Sequence, residues 1–186
     1  AIEIAKLFQK NNIECKLASS NWQDISIARQ AGLNTYYGNP TSEHADRHLD
    51  LVGVGKLIAL SGNHEINTLA CMRYVREFGR KNIYSVATTG DDSQALVSEK
   101  HQTALRYQGK RLFSGKDNIE SLNEKLLSGL QIHQVKIGSG TSLNEYKDKN
   151  TEQVPLCVIK ANQTIEMIYT SSNITLKPRD ILVVIR

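Results

Sequence analysis

Proline is scarce in this sequence, and long apolar stretches are absent. Three prolines in 186 residues exclude a Pro-rich linker and a collagen-like fibre. Hydrophobic residues make up 40% of the chain and charged residues 23%, which is not the composition of a disordered tail. No apolar run exceeds a few residues, whereas a membrane-spanning helix needs about 20, and no secretory leader is visible. We therefore expect a folded, soluble protein.

Cysteine is scarce as well, and its placement does not suggest a disulfide framework. Cys15, Cys71 and Cys157 are odd in number and far apart in the chain. Each falls in a segment that is predicted to be a strand or a helix. This pattern favours packed, reduced thiols in the cytoplasm over disulfide bonds.

A concentrated basic patch is also missing. The formal net charge is +4, but no run of basic residues is longer than two, as at Arg80-Lys81. Nucleic-acid-binding domains usually concentrate Lys and Arg on one face or along one helix. We therefore do not expect nucleic acid as a partner.

Residues 1–90 do have a regular alternation of helix and strand patterns, which is typical of a parallel sheet covered by helices. The predicted helices cover residues 2–10, 22–31, 41 or 42 to 53–55, and 65–78. The predicted strands cover residues 13–18, 34–37, 56–60 and 83–87. Because the chain opens on a helix, we expect the first strand of the doubly wound sheet to be missing from it.

Residues 91–186 have a different pattern, with more strands than helices. The pattern predicts extended chain over 103–113, a helix over 119–127, and strands over 131–137, 154–160, 165–170 and 181–186. We therefore predict an α/β protein of two lobes. A Rossmann-like, mostly parallel sheet occupies residues 1–90, and a smaller α+β lobe occupies residues 91–186.

Two turns resemble those of the regulator-of-potassium-conductance domains, which combine a TrkA-N-type and a TrkA-C-type lobe. They are Tyr37-Gly38-Asn39-Pro40 and Leu60-Ser61-Gly62-Asn63, each directly after a predicted strand. Residues 20–25 and 38–46 are similar to the cytoplasmic tails of NhaP-like sodium/proton antiporters. Residues 176–182 resemble the C-terminal ligand-binding lobe of such regulators, with Arg179 where a glycine is usual. The resemblance covers residues 1–90 and, more loosely, 150–186.

The resemblance implies a sheet that senses a nucleotide, NAD(H) or an adenine nucleotide, at the carboxyl ends of its strands. The candidate nucleotide-binding residues at those ends are Ser19, Asn21, Asn39, Ser61, Gly62 and Asn63. Ser19 and Asn39 stand where the family usually has a carboxylate, so the tip of the first visible strand supplies no charged acceptor. Ser, Asn and Gly are also the ordinary residues of turns and helix caps, and that remains the alternative.

Other residue patterns favour structural roles. His44 and His48 stand four apart on a predicted helix and could share a metal, but a solvated, charge-paired helix face is favoured, and no metal site is assigned. Trp22 and Tyr37 could stack on a base, although such aromatics more often pack on a sheet or at a dimer contact. No catalytic residue is assigned.

Together these expectations describe a regulatory module and not an enzyme. It would lie at the cytoplasmic face of the bacterial inner membrane, form a homodimer, and be joined to the membrane transport domain of the same polypeptide. Nucleotide binding or dimer rearrangement would bias a monovalent cation/proton antiporter. Two alternatives stay open, which are a nucleotide-free dimerisation scaffold and, less favoured, a fragment of an NAD-dependent dehydrogenase.

Overall fold

The computed structural model describes residues 1–88, 107–113 and 117–186, which form a mixed α/β fold. The helices are α1 (Ile2–Lys10), α2 (Trp22–Gln30), α3 (Glu43–His48), α4 (His64–Phe78), α5 (Ile119–Leu127) and α6 (Leu143–Lys149). The strands are β1 (Lys16–Ser19), β2 (Asn34–Tyr37), β3 (Leu57–Ala59), β4 (Ile83–Ser85), β5 (Lys110–Arg111), β6 (Ile132–Lys136), β7 (Thr141–Ser142), β8 (Val154–Ile159), β9 (Ile165–Met167), β10 (Thr175–Leu176) and β11 (Ile181–Ile185).

The first part of the chain contains two parallel sheets. One consists of β1 and β2, and the other has the order β3-β4-β5. The later strands are antiparallel, in a four-stranded sheet of order β6-β11-β8-β9 and a β7-β10 pair. The predicted combination of parallel strands and helices is therefore confirmed.

The two parallel sheets are separate, whereas the helix–strand alternation predicts one sheet. Within the described residues, β1 and β3 do not pair with each other. In a doubly wound sheet, the opening strand lies between the strand that follows it and the strand after the crossover. A strand added between β1 and β3 would join the two sheets, so the missing first strand stays a prediction with a definite position.

The helix predicted to run from residue 41 or 42 to Gly53 or Gly55 is shorter than expected. Ser42 caps α3 as predicted, by accepting the N–H of Ala45 at 3.2 Å, but α3 ends at His48. Asp50 then accepts the N–H of Val52 at 3.0 Å, an Asx turn that competes with continued helix.

Three short elements were not predicted at all. They are β7, α6 and β10, and β7 and β10 have only two residues each. Part of the extended segment predicted over 103–113 lies outside the described residues, as does the predicted lobe boundary between residues 90 and 91.

The largest hydrophobic core joins α1 to the antiparallel sheet. Leu7 and Phe8 of α1 belong to the same buried cluster as Leu156, Cys157 and Val183. The backbone connects residues 1–90 to residues 91–186 as well. The Leu112 N–H donates to the Ser85 carbonyl at 2.9 Å, and the Ile119 N–H donates to the Ala87 carbonyl at 3.1 Å. The two predicted lobes therefore share a core and a short backbone pairing.

Gly109 lies where β5 approaches β4. A β-carbon at this position would lie 2.8 Å from the Tyr84 carbonyl carbon and 2.9 Å from the Ser85 nitrogen. Both are backbone atoms, so no side-chain movement could relieve the overlap. Gly109 is thus the residue that allows β5 to pair with β4.

The three cysteines are free thiols, as predicted. Burial raises the pKa of Cys157 to about 12. Burial also raises the pKa of Cys71 to about 11, against the opposing hydrogen bond from the Gly109 backbone. Within the described residues, no helix is both long enough and apolar enough to cross a membrane.

Candidate functional site

The carboxyl ends of β1 and β2 lie side by side, because the parallel register pairs Ser19 with Tyr37. The Gly38 N–H donates to the Ser19 carbonyl at 2.9 Å and extends this contact past the end of β2. Asn21 and Asn39 follow directly in the two loops. The fold therefore brings Ser19, Asn21 and Asn39 to one edge of the β1–β2 sheet.

The side chains of these asparagines already have local partners. The Oδ1 of Asn21 accepts the Gln23 N–H at 2.9 Å and caps α2. The Oδ1 of Asn39 accepts the N–H and the hydroxyl of Thr41, at 2.9 Å and 2.8 Å. Both contacts agree with the turn-and-cap alternative. They leave the Nδ2 donors as the groups through which either amide would contact a ligand.

Asp24 supplies a carboxylate at this edge that the sequence analysis missed. Its Oδ2 lies 3.5 Å from the Ser19 hydroxyl. Asp24 stands in the first turn of α2, where an acidic side chain suits the helix dipole. Its position in the first turn of the helix that follows β1 is the sequence signal by which Asp24 could have been identified.

Helix α1 begins close to the same edge. Asp24 interacts electrostatically with the backbone nitrogen of Ala1, so its carboxylate lies within reach of the first turn of α1. Free backbone N–H groups at such a turn are suited to bind phosphate oxygens.

The second group of predicted residues lies between β3 and α4. The Ser61 hydroxyl accepts the Asn63 N–H at 3.2 Å, and the Asn63 Oδ1 accepts the Ile66 N–H at 3.0 Å. Buried Asn67 holds the turn in place. Its Oδ1 accepts the Ser61 N–H at 2.9 Å and its Nδ2 donates to the Ser61 carbonyl at 2.8 Å. The turn has a defined shape that does not depend on a ligand.

Glu120 of α5 reaches this turn from a distant part of the chain. A β-carbon on Gly62 would lie 3.6 Å from the Glu120 Oε1. The Oε2 of Glu120 is buried and has no hydrogen-bond partner within the described part of the chain. A buried, unpaired carboxylate oxygen is unfavourable unless a donor reaches it. No sequence pattern indicated Glu120, because only the tertiary structure brings α5 to Gly62.

The six predicted residues thus form two groups and not one. Ser19, Asn21 and Asn39 lie on the β1–β2 sheet, while Ser61, Gly62 and Asn63 follow β3 of the other sheet. The edges of β1 and β3 are unpaired toward each other, and each group lies at the carboxyl end of its strands. Binding of a nucleotide by these residues stays a prediction.

The aromatic residues at the β1–β2 edge contact each other. Trp22 and Tyr37 are 53% and 49% exposed, and their ring centroids are 5.2 Å apart in an edge-to-face arrangement. The Arg29 guanidinium lies 5.4 Å from the Trp22 ring centroid and donates to the Thr35 hydroxyl at 3.1 Å. Trp22 therefore has two contacts within the protein, while about half of its surface stays exposed.

A small polar cleft lies beside the amino end of α4. Its lining includes His64, Asn67, Thr68, Ser85 and Arg111, from α4 and the carboxyl ends of β4 and β5. Hydroxyl, amide, imidazole and guanidinium groups together can bind an anionic or hydroxyl-rich ligand. Within the described ranges, no group of three or more His, Cys, Asp or Glu residues is placed to hold a metal ion.

Comparison with known protein families identifies the TrkA-N domain. The model of the TrkA-N domain matches residues 1–104, which is more than half of the chain. No curated protein matches this chain.

The solved structures that match this chain include two whose alignments cover the whole chain. A GsuK channel bound to NAD has 16% identity and a TM-score of 0.43, and this chain spans 35% of its length. A crystal structure of the GsuK RCK domain has 17% identity and a TM-score of 0.41, and this chain spans 43% of its length. The chain thus covers less than half of either protein.

Proposed function

This chain belongs to the TrkA-N domain family, and from that premise we propose that it is the cytoplasmic regulatory domain of a monovalent cation/proton antiporter. It senses a nucleotide, NAD(H) or an adenine nucleotide. Binding of this nucleotide shifts the conformational equilibrium of a membrane transport domain of the same polypeptide. Residues 1–90 form the nucleotide-sensing lobe and residues 91–186 the second lobe. No reaction is catalysed, because regulation needs only a ligand with different affinities for two conformations.

The observation that carries this proposal is the carboxyl edge of the parallel strands. In open α/β folds, ligands bind outside the carboxyl ends of the strands. Here that edge carries the predicted polar turns and two carboxylates that face them, Asp24 and Glu120. A carboxylate that accepts two ribose hydroxyls is the usual way for such a fold to hold a dinucleotide. Asp24 would supply the carboxylate that is missing at Ser19, and Glu120 would add a second carboxylate at the Gly62 turn.

Nucleotide sensing can be tested by isothermal titration calorimetry of the whole chain with NAD, NADH, ATP and AMP. We expect one of the four to bind. In E120Q we expect its affinity to fall by about 10- to 100-fold, because a hydrogen bond to a charged group contributes about 1.5–3 kcal/mol. The matched control is E124Q, an exposed position on the same helix, which should bind like the original chain.

The outcomes separate the alternatives. No heat with any of the four nucleotides would reject sensing and leave the nucleotide-free scaffold, which the local capping of Asn21 and Asn39 favours. Equal affinity in E120Q and the original chain would reject Glu120 as a contact. Hydride transfer from NADH to a carbonyl substrate would favour the dehydrogenase fragment.

The partner in the proposal is a second copy of the chain, and an exposed face of α4 supports it. The α4 stripe, which consists of Glu65, Leu69, Met72 and Arg76, lies on one side of the helix at helical spacing. Leu69 and Met72 are 52% and 44% exposed. If two α4 helices pack antiparallel about a two-fold axis, Leu69 meets Met72 and Glu65 meets Arg76 of the partner. The stripe is therefore complementary to itself in both shape and charge.

A further inference from the structure

Helix α3 carries two imidazoles that lie against each other on the protein surface. His44 and His48 are four residues apart, both are exposed, and their ring centroids are 4.2 Å apart with 36° between the ring planes. A spacing of four residues places two side chains on the same helix face. Two imidazoles in this arrangement can direct nitrogen lone pairs to one point in solvent.

From this geometry we infer that His44 and His48 form a binding site for a divalent transition-metal ion of the class that prefers imidazole, namely Zn²⁺, Ni²⁺ or Cu²⁺. One ring nitrogen of each histidine would bind the ion, and water would fill the remaining positions. The inference does not depend on nucleotide sensing, because neither histidine belongs to the predicted nucleotide edge.

Tyr36 supplies the supporting contact that metal-binding histidines usually have. Its hydroxyl lies 2.8 Å from the Nδ1 of His44, and the tyrosine is buried, with 9% exposure. With Nδ1 protonated, His44 donates to the tyrosine oxygen and presents the lone pair of Nε2 to the ion. Such a contact fixes both the ring orientation and the tautomer of a ligating histidine. Tyr36 is thus a positioning residue.

The helix that carries the pair is held in place from both sides. Ala45, between the two histidines in sequence, is 1% exposed. Asp46 forms an ion pair with Arg73 of α4, and the Tyr74 hydroxyl donates to the Pro40 carbonyl just before α3. A ligand pair on a fixed backbone loses little conformational entropy on binding. The site is therefore preorganised although α3 is short.

The neighbouring carboxylates already have partners. Glu43 pairs with Arg47 at 3.3 Å, Asp46 pairs with Arg73, and Asp50 accepts the Val52 N–H at 3.0 Å. Among the described residues of this face, the two imidazoles are thus the metal-binding side chains that form no ion pair. With two protein ligands, the site is suited to reversible binding and not to a closed structural metal centre.

The test is calorimetric titration of the chain, without any oligohistidine tag, with NiCl₂ and ZnCl₂ in a non-coordinating buffer near pH 7.5. We expect one ion per chain. H44N and H48N should each lower the affinity by at least tenfold, and Y36F by about 10-fold through the lost supporting contact. The matched control is H133N on β6, which should bind like the original chain.

A second measurement, the Tm with and without Zn²⁺, distinguishes loss of metal binding from loss of folding. Saturating Zn²⁺ should raise the Tm of the original chain and of H133N, because an ion that binds only the folded state stabilises it. H48N, which removes an exposed side chain, should fold normally and show no such rise. Unchanged affinity in both H44N and H48N, or equal loss in H133N, would overturn the inference. Full affinity in Y36F would overturn the role of Tyr36.

Discussion

Arg179 holds a backbone conformation that side chains other than glycine rarely adopt. Its φ is 75°, in the left-handed region, where a β-carbon costs about 1–2 kcal/mol. The residue precedes buried Asp180, whose carboxylate accepts the Lys177 N–H at 3.0 Å and the Lys160 ammonium at 3.2 Å. The turn therefore has a fixed shape, which glycine would adopt without the strain of a β-carbon.

We expect R179G to stabilise the chain. Glycine removes the strain of the left-handed conformation, but it also makes the unfolded chain more flexible, so the net gain in free energy of unfolding is about 0.5–1 kcal/mol. R179A removes the same side chain and keeps the β-carbon, so it should give little or no gain. Urea denaturation of the three proteins measures the difference, and an equal gain in R179A would contradict the strain explanation.

At the residue scale, the sequence identified the local part of the candidate site. The sequence predicts a cap at Ser20 or Asn21, a cap at Thr41 or Ser42, and a turn that ends at Asn63. In the structure the capping residues are Asn21, Ser42 and Asn63, and each accepts a backbone N–H at a helix start. Such contacts join residues two or three apart, so sequence spacing is sufficient to predict them. Glu120 could not be predicted from the sequence, because its contact with Gly62 joins residues that are distant in sequence.

Helix α4 is the element that most directly suggests association. Its buried residues, among them Ala70, Cys71 and Tyr74, pack on the protein, while the α4 stripe lies on the exposed side. Exposed apolar residues in a row with charges at both ends are typical of an interface. We therefore expect the homodimer to form through α4.

A charge placed in the stripe should dissociate the dimer. Sedimentation velocity should show a dimer for the original chain and a monomer for L69E. In an L69E dimer, the new carboxylate would be buried without a partner against Met72 of the second copy. E65R should weaken association by like-charge contact with Arg76, and the double variant E65R/R76E should restore it. V52E changes an apolar residue that is 88% exposed outside α4, so it should remain dimeric. A monomeric original chain, or a dimeric L69E, would refute this interface.

At the element scale, the longer helices were predicted to within a residue or two, whereas β7, α6 and β10 were missed. Helices α1, α2, α4 and α5 have both apolar periodicity and recognisable ends. The two-residue strands β7 and β10 are too short to show any period. They exist because Ser142 and Thr141 pair with Thr175 and Leu176, and pairing across the chain leaves no local signal.

The shared core links the stability of the two predicted lobes. Leu156 of β8 is 2% exposed and belongs to the same cluster as Phe8 of α1. The only tryptophan of the chain, Trp22, lies in the first lobe and reports on its unfolding. A substitution that destabilises the core of the second lobe should therefore shift the unfolding transition that Trp22 fluorescence reports.

We expect L156A to lower the midpoint of the Trp22 fluorescence transition in urea, with a loss of about 2–5 kcal/mol in the free energy of unfolding. Far-UV circular dichroism should report the same midpoint, since one shared core favours a single cooperative transition. L127A, at a leucine that is 88% exposed, serves as the control and should leave the midpoint in place. An unchanged midpoint of the Trp22 fluorescence transition in L156A would show that the lobes unfold independently.

The sequence by itself determined the elements with local causes: the alternation of helices and strands in residues 1–90, the helix caps, and the polar turns at the strand ends. These depend on contacts between near neighbours, so spacing and residue type suffice. The tertiary structure alone decided that β1 and β3 are not paired, that Glu120 faces Gly62, and that α1 packs on the antiparallel sheet. Each of these arrangements depends on how distant segments pack, and packing is a property of the whole folded chain.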